Sequence, residues 1–348
     1  MGNSHASGTP TSSQHREPRL VHLDCDPGID DALAIFYLAA LHHAGEIELV
    51  GLTTTAGNVD VDTTARNAAY LLALCGLPEI PVAAGAPGPV AVDLVTTPET
   101  HGQWGLGYHR APDTPGSGLG SPLGTGSETG PAHRGAQDAQ ELLAAAAARD
   151  AHLIVTGPLT NLADATASFA SRTVMGGAIN YRGNTTPTAE WNFWVDPHAA
   201  AHYFAAATPP GQPTTLCSLE VTEQFLIDPP RLNRLVDSLG RHPAAGILPE
   251  VLRFYFEFHQ QQGEGYQAQI HDLLTCMVAL DTVAYEYVDT TVAVEADSPL
   301  LRGTSVADLR GHWDRAPNTR LVTAVDIPAA HAELTRAAEI LADSAAGH

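Results

Sequence analysis

The stretch Asp24-Cys25-Asp26-Pro27-Gly28-Ile29-Asp30-Asp31 sets four carboxylates within eight residues, directly after the apolar run that starts at Leu20. Two like charges about 4 Å apart repel by roughly 4 kcal/mol at an effective dielectric near 20, so a packed group of this kind wants a cation. Hard oxygen ligands favour calcium or magnesium. Pro27 and Gly28 make a turn, which puts Asp30 and Asp31 in the first turn of a following helix, where negative charge also meets the positive helix end. Capping alone would need only one or two of these acids.

Outward from this motif the chain alternates β-rich runs with helical patterns: Leu20–Asp24, Asp31–His42, Ile47–Thr54, Thr63–Leu74, Ile80–Ala84, Gln137–Arg149 and His152–Thr156. Strand, helix, strand, helix predicts βαβ units and an α/β fold, with an open, mainly parallel Rossmann-like sheet flanked by helices. Ligands of such sheets sit beyond the carboxyl ends of the strands, where this chain is rich in Asp, Asn, Thr and Gly. Residues 96–135 break the rhythm with Gly, Pro, Ser and Thr, and are expected to be a long flexible loop, a lid or a disordered insert. The region from Pro229 reads as helical, and 229–270 is expected to cap the site. Strands near Thr290–Ala296 and Arg320–Val325 precede a last helix, Ala329–Leu341. The expectation is a single domain over 20–348, after a disordered tail over 1–19.

The 348 residues carry 39 acidic and 17 basic side chains, a formal charge of −22, and no lysine. Such a surface repels a phosphate backbone, which argues against nucleic acid as a partner. Cys25, Cys75, Cys217 and Cys276 form no CxxC pair and suggest neither a disulfide framework nor a thiolate metal site. Residues 1–19 lack the basic start and apolar run of a secretion signal, and no stretch approaches the roughly 20 apolar residues of a membrane span. A soluble protein of the cytoplasm is expected.

Two chemistries fit an Asp-x-Asp after a first strand. Haloacid-dehalogenase-like phosphatases open this way, but would need a phosphate-holding cation near Asp24, and Pro27-Gly28 is not their continuation. An EF-hand calcium loop is excluded by spacing. Downstream, Ile270-His271-Asp272-Leu273-Leu274 begins an apolar helix whose start can deliver Asp272 to the same cation, with His271 beside it. Alone, that pair reads equally as a cap and a structural histidine.

Six segments taken together resemble the inosine-uridine-preferring nucleoside hydrolase family, in the family's order and over nearly the whole chain from Leu20. They are DCDPGIDDALAI from Asp24, TTAGN over Thr54 to Asn58, TGPLTNLA from Thr156, MGGA from Met175, EWNFWVDPHAA from Glu190 and IHDLL from Ile270. The resemblance implies calcium-dependent hydrolysis of the N-glycosidic bond of ribonucleosides to free base and ribose, a place in purine or pyrimidine salvage, and a homo-oligomer, dimer or tetramer. It implies Ca2+ held by Asp26, Asp31, Asp272 and the carbonyl of Thr156, with Asp26 also taking a proton from the attacking water. Ribose contacts carry over to Asp30, Asn58, Asn184, Glu190 and Asn192, with Met175 against the sugar, and His271 becomes the acid for the leaving base. His101, Trp191, Tyr255 and His259 are candidates to face the base, since aromatics stack on any base and imidazole can protonate one, while Tyr255 and His259, four apart on one helix face, read equally as cap packing. Two departures stand out: the segment from Met175 to Asn184 is one residue longer than the family pattern, and Trp104 occupies a position that is often polar. A nucleoside- or ribose-binding protein without turnover is the non-enzymatic alternative, although all four implied metal ligands are present.

Overall fold

A computed structural model of the chain describes residues 6–8, 17–113, 136–163, 167–206 and 212–346. The main sheet consists of β1 (Ala6–Gly8), β2 (Arg19–Cys25), β3 (Ile47–Thr54), β4 (Val82–Ala84), β5 (His152–Val155), β6 (Ser171–Met175), β7 (Thr214–Cys217), β10 (Tyr285–Thr290) and β13 (Thr319–Val325). Two ribbons stand apart from it, β8 (Leu226–Ile227) with β9 (Ala268–Gln269), and β11 (Val292–Val294) with β12 (Ser305–Ala307). The helices are α1 (Ile29–His43), α2 (Val61–Leu74), α3 (Pro98–His101), α4 (Ala136–Ala148), α5 (Trp191–Val195), α6 (Pro197–Ala205), α7 (Leu219–Thr222), α8 (Pro229–Leu239), α9 (Ala244–Gln261), α10 (His271–Ala279) and α11 (Ile327–Ala346).

The strand order is β1-β10-β13-β7-β6-β5-β2-β3-β4. Pairing is parallel from β4 through β13, while β10 and β1 add antiparallel at one edge. The chain leaves β2 toward β3 and β4, then returns to place β5 on the other side of β2. That reversal opens a crevice at the carboxyl ends of β2 and β5, the place where an α/β sheet receives its ligand.

Burial explains why the first βα unit anchors the rest. β2 is buried from Val21 to Cys25, as a strand covered on both faces must be. α1 is buried without a break from Ile29 to Leu41, packed on the sheet and against α10 and α11. Its Leu33, Ile35, Phe36, Leu38 and Leu41 each contribute about 1.5–3 kcal/mol of apolar burial. All four cysteines are buried and free. Among the described residues no helix is long and apolar enough to cross a membrane.

The sequence reading needs three adjustments. The strand expected over Thr290–Ala296 is two strands: β10 ends in the main sheet at Thr290, and β11 starts the separate ribbon at Val292. Of the expected tail, Ala6–Gly8 pairs with β10 and Arg19 already belongs to β2, while 1–5 and 9–16 lie outside the described residues. Of the expected loop, 114–135 lies outside them too. The preceding part is not structureless: Thr97, His101 and Leu106 are buried, and α3 packs against α9. The region 229–270 forms α8, α9 and β9, and the α9 end faces the crevice.

Candidate active site

The floor of the crevice is built from the first turns of two helices. Asp30 and Asp31 open α1 and Asp272 opens α10, and each offers a carboxylate oxygen within 4.8 Å of the others. Asp31 is held on both oxygens: Oδ2 accepts from the Gly28 N–H at 2.9 Å, and Oδ1 from the Thr156 hydroxyl at 2.8 Å. Burial, then the neighbouring Asp30, draws the Asp31 carboxyl up to about 7. Burial followed by Asp30, Asp31 and Asp26 likewise draws Asp272 well above the usual carboxylate range. Among the described residues no arginine forms an ion pair with Asp26, Asp30, Asp31 or Asp272. Buried carboxylates crowded like this are relieved by a shared proton or a cation.

Asp26 follows β2 and lies in a slot walled by glycine. A Cβ on Gly57 would sit 2.1 Å from its Oδ2, and one on Gly157 2.9 Å from its Oδ1. Close approach therefore accounts for the glycine in both the TTAGN and the TGPLTNLA segments. Oδ2 accepts the Asn58 N–H at 2.7 Å, and the Asn58 amide donates to the Asp26 carbonyl at 3.0 Å. The Asn58 Oδ1 is buried and has no hydrogen-bond partner among the described residues. Asp26 is not one of the three acids whose oxygens converge within 4.8 Å; Asp30, which the resemblance places on the ribose, is.

The other expected residues converge on the same cavity of about 420 Å³, which is lined by Asp26, Asp30, Asn58, Thr156, Met175, Asn184, Glu190, Asn192, His271 and Asp272. Asn192 donates to the Thr156 carbonyl at 2.8 Å and lies 3.5 Å from the Met175 sulfur. Glu190 caps α5, accepting from the backbone N–H of Asn192, Phe193 and Gly177, while burial pushes its carboxyl up to about 7. Asn184 is exposed at the mouth, and its Oδ1 accepts the Trp191 N–H at 3.0 Å. Asp24, the remaining acid of the opening motif, does not face the cavity. It is fully buried behind the floor, where its Oδ2 takes Thr53 and Asn161.

The opposite wall is aromatic and imidazole-rich. His101, Trp191, Tyr255, His259 and His271 all line the cavity. His101 accepts the Ile29 N–H on Nδ1 at 3.1 Å, so its neutral ring carries the proton on Nε2. His271 Nδ1 meets the Thr222 hydroxyl at 2.9 Å, and burial pushes its imidazole down to about 4. Trp104 is not on this wall: it stacks under Arg110, 4.3 Å from ring centre to guanidinium, and its carbonyl holds Asn67. Glu99 of α3, Arg182 and Glu264 from connecting segments and Gln269 of β9 also line the cavity, and no shared spacing in the sequence points to them. The phosphatase alternative has no cation beside Asp24, and Arg182, the one arginine lining the cavity among the described residues, is held by Glu223 and Glu264.

Comparison with known proteins agrees with this geometry. The sequence pattern of the family described as "Inosine-uridine preferring nucleoside hydrolase" matches residues 21–332. The pyrimidine-specific ribonucleoside hydrolase RihA of Salmonella paratyphi C is 32% identical over 315 residues, 87% of this chain and 93% of that protein. RihA of Shewanella oneidensis is 35% identical over 298 residues, 82% and 85% of the two chains. Among solved structures, a purine-preferring ribonucleoside hydrolase from Gardnerella vaginalis superposes with a TM-score of 0.76 at 27% identity, covering 93% of this chain and 99% of that one. With an acidic crevice at the sheet's switch point, the family motifs gathered around it and relatives matched along most of their length, this chain belongs to the inosine-uridine preferring nucleoside hydrolase family.

Proposed function

We propose that this hydrolase cleaves the N-glycosidic bond of ribonucleosides with water, giving free base and ribose, and that it depends on calcium. The observation that carries the reading is the floor itself: Asp30, Asp31 and Asp272, buried, oxygen-only and without an arginine partner among the described residues, beside Asp26 and the Thr156 carbonyl. This donor set fits a hard divalent cation, with Asp26, Asp31, Asp272 and Thr156 as its holders. When bound, the cation supplies Lewis acidity toward water and sugar hydroxyls.

The chain's own residues do the rest. Asp26 accepts a proton from the attacking water as its oxygen bonds to C1′ and the C1′–N bond breaks. Positive charge develops at C1′, and the Asp30 and Glu190 carboxylates at the cavity stabilise it. Asn58, Asn184 and Asn192 read the sugar hydroxyls, with Met175 packed against the ring. The departing base takes a proton from the wall, where His271 is the assigned acid. Burial keeps its imidazole neutral at pH 7, so the proton reaches the ring from solvent water before it passes to the base nitrogen as the C1′–N bond breaks. The relatives of higher identity carry the pyrimidine-specific name, so uridine and cytidine are expected ahead of inosine.

The test is reducing-sugar release from uridine, cytidine, inosine and adenosine, with calcium and after chelation. Release that stops on chelation and in Asp26→Ala is the expected result. Binding of nucleosides by folded, calcium-loaded protein with no sugar release would favour the binding protein instead.

A further inference from the structure

The rim of the cavity away from the acidic floor carries a chain of contacts with no part in the scheme above. Arg182 donates from Nη2 to Glu223 Oε2 at 2.9 Å and to Glu264 Oε1 at 3.0 Å. Glu264 lies in the turn between α9 and β9, between Gly263 (φ 80°) and Gly265 (φ 90°), both left-handed. A Cβ at Gly263 would meet nothing within 4 Å, so glycine is needed there for the backbone shape that aims Glu264 inward.

The second oxygen of Glu264 takes His259 Nδ1 at 2.7 Å and the Gln269 amide at 3.3 Å. With its Nδ1–H donating to the carboxylate, a neutral His259 presents Nε2 as an acceptor, and the Gln269 backbone nitrogen lies 3.5 Å from it. This imidazole has no proton to offer a base. Its ring instead rests on Tyr255, centroid to centroid 4.5 Å, and Tyr255 rests on His101 at 5.4 Å.

We propose that Glu264, held in place by Arg182, is a positioning residue for the leaving-group side of the site: it fixes His259 and, through it, sets the Tyr255 ring against His101. The proposal rests on the hydrolase reading and adds to it a reason why the base-facing wall is already formed before substrate arrives. Of the two partners Arg182 is the half-exposed one, and Glu264 the one that reaches the imidazole.

The experiment compares kcat/KM for uridine with that for 4-nitrophenyl ribofuranoside, whose leaving group departs as a stable anion and offers no base edge to the wall. Glu264→Ala is expected to lower kcat/KM for uridine by about tenfold or more, and that for the nitrophenyl riboside by a factor about fivefold smaller. Glu264→Gln recovers part of the difference, because the carboxamide oxygen still accepts the Nδ1 proton. Arg182→Ala, on an exposed side chain that tolerates truncation, moves the same ratio in the same direction by a smaller factor. Equal losses on both substrates, or no loss on either, overturn the proposal. Wild-type protein that hydrolyses neither substrate overturns the hydrolase reading beneath it, so the two failures are distinguishable.

Discussion

The two ends of the sheet treat acids in opposite ways. At the amino end Glu48 pairs with Arg149, Asp281 with Arg19, and Glu46 and Glu333 with Arg336, mostly on half-exposed side chains. At the carboxyl end Asp26, Asp30, Asp31 and Asp272 are buried, and among the described residues no arginine pairs with them. Exposed pairs contribute little, about 0–1 kcal/mol each. Buried acids without a counter-charge cost stability, and a fold retains them where a ligand supplies the missing charge. The contrast separates acids that hold the surface together from acids that wait for a partner.

The sharpest way to break this comparison is Asp272→Asn. Ribose release is expected to fall by about a thousandfold or more, since both a charge and a proposed metal ligand are lost. In chelated protein the same substitution removes a buried like charge, so the melting temperature should hold or rise. A fall in melting temperature without calcium would make Asp272 a structural acid like those at the other end.

A second test uses pH. Folding draws Asp31 and Glu190 up to about 7, from unfolded values near 4. A raised carboxyl contributes stability that is fully present below the unfolded value and is lost as pH rises through the folded one. Cation-free protein should therefore lose stability between about pH 4 and 7. On the proposed calcium site the cation takes the ionised form, so the melting shift calcium produces should be several degrees larger at pH 8 than at pH 5. Equal shifts at the two pH values would remove the carboxylates from the binding site.

The smallest effect belongs to the amino end. Arg149→Ala should change unfolding free energy by less than about 1 kcal/mol in denaturant titration and leave ribose release unaltered. A larger loss would mean that this end too depends on its charges.

How much of this was legible from residues follows from how local each signal is. The acidic floor was readable because Asp26, Asp30 and Asp31 lie within one turn and one helix start. The split between Asp24 and Asp26 was not: strand alternation ends at Cys25, so the direction of Asp24 says nothing about that of Asp26. Strands buried along most of their length, such as β2 and β5, showed as apolar runs. β10 was displaced because Tyr285–Thr290 is an outlying antiparallel strand with exposed Glu286 and Asp289. The ordered start of the 96–135 segment was hidden because its burial comes from α9, which is remote in sequence. Arg182, Glu264 and Gln269 were invisible for the same reason: Arg182 meets Glu264 of the α9–β9 connection, 82 residues later in the chain, only after folding.

α1, buried along Ile29 to Leu41, carries two acids of the floor on its first turn and α10 carries the third beside His271, whereas His101, Tyr255 and His259 of the wall hang on α3 and α9. A lineage can then rewrite that part of the wall by substitutions on α3 and α9 while the floor stays pinned to α1 and α10. Drift in base preference over a constant bond-cleaving apparatus is what such a division permits, and relatives named pyrimidine-specific and purine-preferring both match this one chain.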